Sequence, residues 1–284
     1  MNDSPSDLHT GGSVLDRIGE TILHHVSNSE PIISLPTVLG INLSITKHVI
    51  MLWVAAAVVF VLFALVVGPY RRQDYPVPRG FTNLLESMVE YIRNQVVIPN
   101  VGVANAAVWS PLILTFFFFI LVANGLGLVP VFDLLPGGST ATGNFNVTAG
   151  LATVTFFAIL VAGSIAHGFG GYLRSLAPKG HPFPVYFILV PIEIIAMFVK
   201  PFALTMRLAA NMTGGHIAIL SIMSFIFVFA DIFRPEVGVA VGLFVSVPLS
   251  AAISALEIII VLIQAYVFAL LSAIFIGMAI HIEH

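Results

Sequence analysis

Apolar residues run almost unbroken through five stretches of the chain, with polar clusters between them. Three of these, at 48–68, 109–128 and 147–167, match the roughly 20 residues that cross a bilayer as one helix. Two more, 185–230 and 239–281, are each longer than 40 residues. At 1.5 Å per residue each would be about 65 Å long, roughly twice the hydrocarbon thickness. Dividing them into hairpins fails. In the first, the turn-like NMTGGH at 211–216 would leave about 14 residues beyond it, too few to span. The second contains no Gly/Pro/Asn cluster. The pattern predicts two long tilted helices, the first bent at Pro191 and Pro201.

Residues 81–97 follow a different rule. Phe81, Leu84, Leu85, Met88, Val89, Ile92 and Val96 recur at helical spacing on one face, with Glu86, Glu90, Arg93 and Asn94 on the other. This is the pattern of an amphipathic helix lying at the interface. The predicted fold class is an all-α integral membrane protein with five membrane helices and one interfacial helix. Residues 1–47 read as an extramembrane tail and 48–284 as a single membrane domain.

Composition agrees: 58% of residues are hydrophobic and 9% charged, against roughly 25% charged in soluble domains. A net charge of −3 without a basic patch argues against nucleic acid as a partner. The absence of cysteine excludes disulfides and thiol chemistry. The tail lacks the basic-then-apolar pattern of a cleaved signal peptide, and its acidic residues argue against an organellar transit peptide. The His24–His25 pair, His281 and His284 have no metal-site partners in the sequence and read as solvated; no cofactor is expected.

Lysine and arginine set the expected orientation. Arg71, Arg72, Arg79, Arg93, Arg174 and Lys179 fall on one side of the predicted spans, and only Arg17, Lys47 and Arg234 on the other. The N-terminus is expected outside and the C-terminus in the cytoplasm.

Few ionisable groups lie inside the two long stretches. They are Glu193, Lys200, Arg207 and His216 in the first and Glu257 in the second, with Asn211 and Gln264 beside them. Arg207 sits near the middle of its stretch. A guanidinium stays charged at any attainable pH, and placing it at bilayer depth costs from about 3 to well over 10 kcal/mol. It needs a protein interior, a water-filled cavity or a partner charge. Glu193, Lys200 and Arg207 recur every seven residues and share a stripe with Ala203, Ala210 and Gly214, where another helix can approach closely. Glu257 and Gln264, also seven apart, form a second polar stripe.

Plain structural roles compete with functional ones. Glu193 lies about two turns into its helix, within reach of the interface, Lys200 can extend to the headgroups, and Asn211 and Gln264 can act as interhelical glue. If the long helices pair antiparallel about the DIFRPE connection at 231–236, however, Arg207 falls opposite Gln264 and His216 opposite Glu257. That shared register predicts a direct or one-water hydrogen bond between His216 and Glu257, with Gln264 at the depth of Arg207.

With these residues in view, the chain from about residue 45 onward resembles subunit a of the F-type ATP synthases, the membrane stator of the F0 motor. The most specific piece is PFALTMRLAANMTGGH at 201–216, with an asparagine four residues after the arginine. NGLGLVP at 124–130, FNVTAGLA at 145–152 and LIQAYVFALL at 262–271 support it. The resemblance implies proton translocation involving Arg207, His216, Glu257, Gln264, Asn211 and Glu193, with Arg207 separating two half-channels. It implies a ring of c subunits against which the two long helices pack, peripheral-stalk b subunits, the remaining F0F1 subunits, and the bacterial inner membrane. Well-known bacterial members exchange the residues at His216 and Glu257; the order here is the mitochondrial one. Catalysis is expected elsewhere, since no GxxxxGK[ST] phosphate loop is present.

The competing class is a self-contained ion-coupled transporter or channel. Such folds usually carry two internal repeats with broken helices meeting at mid-depth. No repeat relates the two halves of this chain, and the embedded charge lies only in its C-terminal half.

Overall fold

A computed structural model describes residues 32–34, 36–38, 41–42, 44–70, 79–129, 141–175 and 183–281. Most of the tail, with Arg17, His24 and His25, lies outside these residues, as do Arg71, Arg72, Lys179 and His284. One small feature departs from an all-helical chain: a two-residue antiparallel ribbon, β1 (Thr37–Val38) with β2 (Ile41–Asn42), extended by an Ile33–Ile45 bridge.

Five helical runs are long and apolar enough to cross a membrane. Helix α1 covers Lys47–Tyr70. Helix α2 (Phe81–Ile92) continues through a π turn (Arg93–Val97) into α3 (Ile98–Val101). Along α2 and α3, Leu85, Ile92, Val96, Val97 and Val101 are buried and Glu86, Glu90 and Arg93 exposed, as amphipathic spacing requires. Phe81 and Leu84, on the same apolar face, are exposed, as a face turned to a membrane interface can be.

Helix α4 (Val103–Gly127) begins six residues before the expected Trp109. Gly102 takes a φ of 85°, a conformation that favours glycine. It re-aims the backbone in one residue, so the alanine-rich segment behind it is helix and not loop. Helix α5 (Phe145–His167) is capped by Asn144, whose side chain accepts from the Asn146 amide at 2.9 Å. Part of the following expected loop folds as the short helix α6 (Phe169–Ser175).

Helix α7 runs unbroken from Phe183 to Ile232, with Pro191 and Pro201 inside it. At 1.5 Å per residue it is about 75 Å long, so in a bilayer it must lie steeply oblique. The chain then turns back through α8 (Pro235–Val241), a π turn (Gly242–Ser246) and α9 (Val247–Ile280). This hairpin is close-packed at its tip: a Cβ on Gly238 would overlap the Ile226 carbonyl and Ala230. The last run therefore starts earlier than the expected 239 and contains a π turn. Gly242 and Pro248 were its sequence signals.

The core sits where α9 meets α3 and α4. Ala265, Ala269, Ala273 and Gly277 recur every four residues and let backbones approach closely; the three alanines are fully buried. A Cβ on Gly277 would overlap the Asn100 carbonyl. Phe268 packs edge-on against Phe116 with ring centres 5.3 Å apart. Helix α7 packs on α5, α8 and α9, and among the described residues much of its remaining face is uncovered.

Candidate functional site

Arg207 lies on that uncovered face. Its side chain is exposed, and the small residues of its stripe, Ala203, Ala210 and Gly214, are exposed with it. A Cβ built on Gly214 would meet nothing within 4 Å. Among the described residues, no carboxylate pairs with the Arg207 guanidinium. Glu193 and Lys200, further along the stripe, are half-buried. Lys200 Nζ stands over the Phe275 ring, 5.7 Å from its centre, a cation–π contact.

The polar groups of α9 point the other way, into the seam with α7. Gln264 is 4% exposed and Glu257 8%. Asn211 Nδ2 donates to Gln264 Oε1 at 3.1 Å. The Glu257 carboxylate rests against Gly215, where a Cβ would overlap it. Gln264 thus meets Asn211, one turn past Arg207 along α7, instead of Arg207 itself. Glu257 seats beside the residue preceding His216, and His216 Nε2 is buried without a hydrogen-bond partner among the described residues. Against the expected register Glu257 is displaced by one residue, onto Gly215, and Gln264 by four, onto Asn211.

Asn124 of α4 completes this region and was not singled out as a candidate from the sequence. It is 1% exposed, and its Oδ1 accepts from Thr142 Oγ1 at 2.5 Å. Asn124, Asn211, Glu257 and Gln264 line a small cavity with space for about one water molecule. Residues just before α5 also bond to α7, with Thr213 Oγ1 donating to the Gly143 carbonyl at 3.1 Å. A lone asparagine inside the apolar run 112–127 was the available signal for Asn124; Thr142, in a polar loop, gave none.

Toward the other end of α7, Tyr172 of α6 is buried with its ring against Gly163, where a Cβ would overlap it. Its hydroxyl points at Met197 Sδ, 3.9 Å away and one turn past Glu193. Burial first, and the nearby Glu193 carboxylate second, push the Tyr172 hydroxyl above its ordinary value, so it stays a neutral donor. At the same end His167 Nε2 bonds the Ile280 carbonyl at 2.9 Å, and His281 Nδ1 the Gly277 carbonyl at 3.2 Å. His281 is exposed, as expected, and its ring also bonds the end of α9.

The arrangement is two polar regions at either side, along α7, of an exposed cation that is unpaired among the described residues. One is the Asn124–Asn211–Glu257–Gln264 cavity with His216 nearby; the other surrounds Glu193.

The sequence profile of the ATP synthase A chain family matches residues 49–277. An ATP synthase subunit a 2 of Chlorobium luteolum is 43% identical over 286 residues, covering 97% of this chain and 80% of the relative. A protein of the same name from Prosthecochloris aestuarii is 44% identical over 271 residues, with 92% and 79% covered. The ATP synthase subunit a of Myxococcus xanthus is 43% identical over 245 residues, with 86% and 75% covered.

Proposed function

The chain belongs to the ATP synthase A chain family, and from that premise we propose that it is the proton-carrying stator of an F-type ATP synthase. The observation that carries this reading is the exposed Arg207, unpaired among the described residues, on a face of small residues in the middle of a membrane helix. A transporter working alone would turn such a charge inward. Here the charge needs a carboxylate from outside the chain, and a ring of small c subunits, each with one mid-membrane carboxylate, supplies it.

The outer polar cavity with His216 and Glu257 delivers protons to a ring carboxylate, which then turns into lipid as the neutral acid. After nearly a full turn the carboxyl reaches the region of Glu193 and gives its proton to the cytoplasm. Arg207 separates the two paths. Two unit charges 4 Å apart attract by about 4 kcal/mol at an effective dielectric of 20, on the order of three pKa units before desolvation. That favours the ionised carboxylate as it passes, while a loose contact lets the ring move on. The membrane supplies about 2.3 kcal/mol per proton per 100 mV.

In this reading the N-terminal segment 1–47 is outside, the C-terminus is cytoplasmic, and the membrane is the bacterial inner membrane. Peripheral-stalk b subunits hold the chain against rotation, and the nucleotide chemistry belongs to other F0F1 subunits. The test is purification of the assembled complex with cysteines at position 210 and beside the ring carboxylate. A disulfide joining the two chains is expected; its absence, with the ring present, would contradict the reading.

A further inference from the structure

Thr142 stands in a turn before α5, outside any helix, yet it is fully buried, and Ala141 beside it is buried too. Three contacts fix the turn. The Asn144 amide donates to the Ala141 carbonyl at 3.3 Å, the Gly143 carbonyl accepts from Thr213 of α7 at 3.1 Å, and the Asn144 side chain caps α5. From this anchored position Thr142 Oγ1 reaches Asn124 Oδ1 of α4 at 2.5 Å. Both partners are buried.

The bond has a direction. A separation of 2.5 Å lies within the range of O–H···O bonds and below that of N–H···O bonds. The threonine hydroxyl therefore donates, and the amide oxygen accepts. This fixes an orientation that asparagine otherwise leaves open, because the two ends of its amide are alike in shape. With the oxygen taken, the end left to bond elsewhere is the NH2, which carries two donors. The same side chain lines the small cavity with Asn211, Glu257 and Gln264. Among the described residues of that lining, Glu257 alone is ionisable, and an ionised carboxylate only accepts hydrogen bonds. A flipped amide would turn its oxygen to the side where a donor is wanted.

We propose that Thr142 is a positioning residue for proton uptake: its hydroxyl turns the Asn124 amide so that N–H donors, and not the oxygen, face the cavity lined by Glu257. The proposal rests on the stator reading above, in which Glu257 takes part in uptake. Thr142 acts through Asn124, and the turn at 141–144, held by α5 and α7, keeps its hydroxyl in place.

The test compares replacements at 142 in the assembled complex in inverted membrane vesicles, with ATP-driven acidification normalised to the amount of complex. Thr142→Val keeps the shape and removes the hydroxyl; Thr142→Ser keeps the hydroxyl and removes the methyl. Thr142→Val should pump about fivefold more slowly, the worth of one hydrogen bond, and Thr142→Ser should stay within about twofold of the parent. The pH profile of pumping should also move in Thr142→Val and stay in place in Thr142→Ser, whereas weaker packing alone would not move it. A parent-like rate or an unmoved profile in Thr142→Val, or a greater loss in Thr142→Ser, would each overturn the proposal. If Thr142→Val does not assemble, Thr142→Ala takes its place and is compared with Thr142→Ser, from which it differs by the hydroxyl alone. The same loss is expected, and equal rates overturn the proposal. Failure of both hydroxyl-free variants to assemble would show that the bond serves the fold, and would overturn the positioning role. Pumping by the unsubstituted complex is measured alongside. Its absence would refute the stator reading, whereas parent-like pumping by Thr142→Val would refute only the role of Thr142.

Discussion

Asn211 donates its side-chain amide to Gln264 at 3.1 Å, joining the long helices α7 and α9 one turn past Arg207. The bond fixes how far α9 slides along α7, and with it the depth of Glu257 against Gly215. On the proposed function, the register and the proton path depend on the same contact.

A double-mutant cycle on Asn211→Ala and Gln264→Ala measures that bond. Interhelical hydrogen bonds in membranes couple by about 0.6 kcal/mol and reach about 1.7. The expected coupling in detergent unfolding lies in that range; a coupling of zero would show that the pair does not set the register.

Gly215→Ala and Gly277→Ala should fail differently. A methyl at 215 meets the end of the flexible Glu257 side chain, whereas one at 277 meets the Asn100 backbone carbonyl. Gly277→Ala should destabilise the subunit by about 1–3 kcal/mol, the usual cost of overpacking. Gly215→Ala should unfold close to the parent and lose proton pumping. Thermal unfolding and vesicle acidification, run on both variants, check the order.

Gly163 and Tyr172 form a compensating pair. Gly163→Ala alone should dislodge the Tyr172 ring and lower stability by about 1–3 kcal/mol. Adding Tyr172→Ala should recover part of that loss, because the overlap is gone. Non-recovery in thermal unfolding would mean that α6 is not packed on α5 as described.

Gly214→Leu tests whether the uncovered face of α7 is occupied in the complex. A Cβ at 214 meets nothing within 4 Å among the described residues, so the isolated subunit should be about as stable as the parent. Assembly with the ring, or its rotation, should be lost. Unimpaired ATP-driven pumping would mean that nothing packs there.

Much of this was legible in the sequence because the apolar stretches are long and their polar exceptions few. The five apolar helical runs, the amphipathic α2 and the pairing of the last two helices follow from periodicity and length alone. The stripe of Arg207 with Ala203, Ala210 and Gly214 also follows from periodicity, but its exposure does not. Helical spacing says which residues share a face, and only packing says which face is left bare. Register was legible to within a turn, since the notch at Gly215 depends on what a neighbouring helix inserts there. Asn124, Thr142 and Tyr172 were missed because each acts through a contact with a residue distant in sequence.

Loss of coupling at Arg207 is the most direct test of the account. Arg207→Ala, in the assembled complex in inverted membrane vesicles, should abolish ATP-driven acidification, and Arg207→Lys should fail too if the spread guanidinium charge matters. ATP hydrolysis by the catalytic subunits, assayed after their release from the membrane, should persist. Normal acidification by Arg207→Ala would contradict the claim that this residue separates the two proton paths.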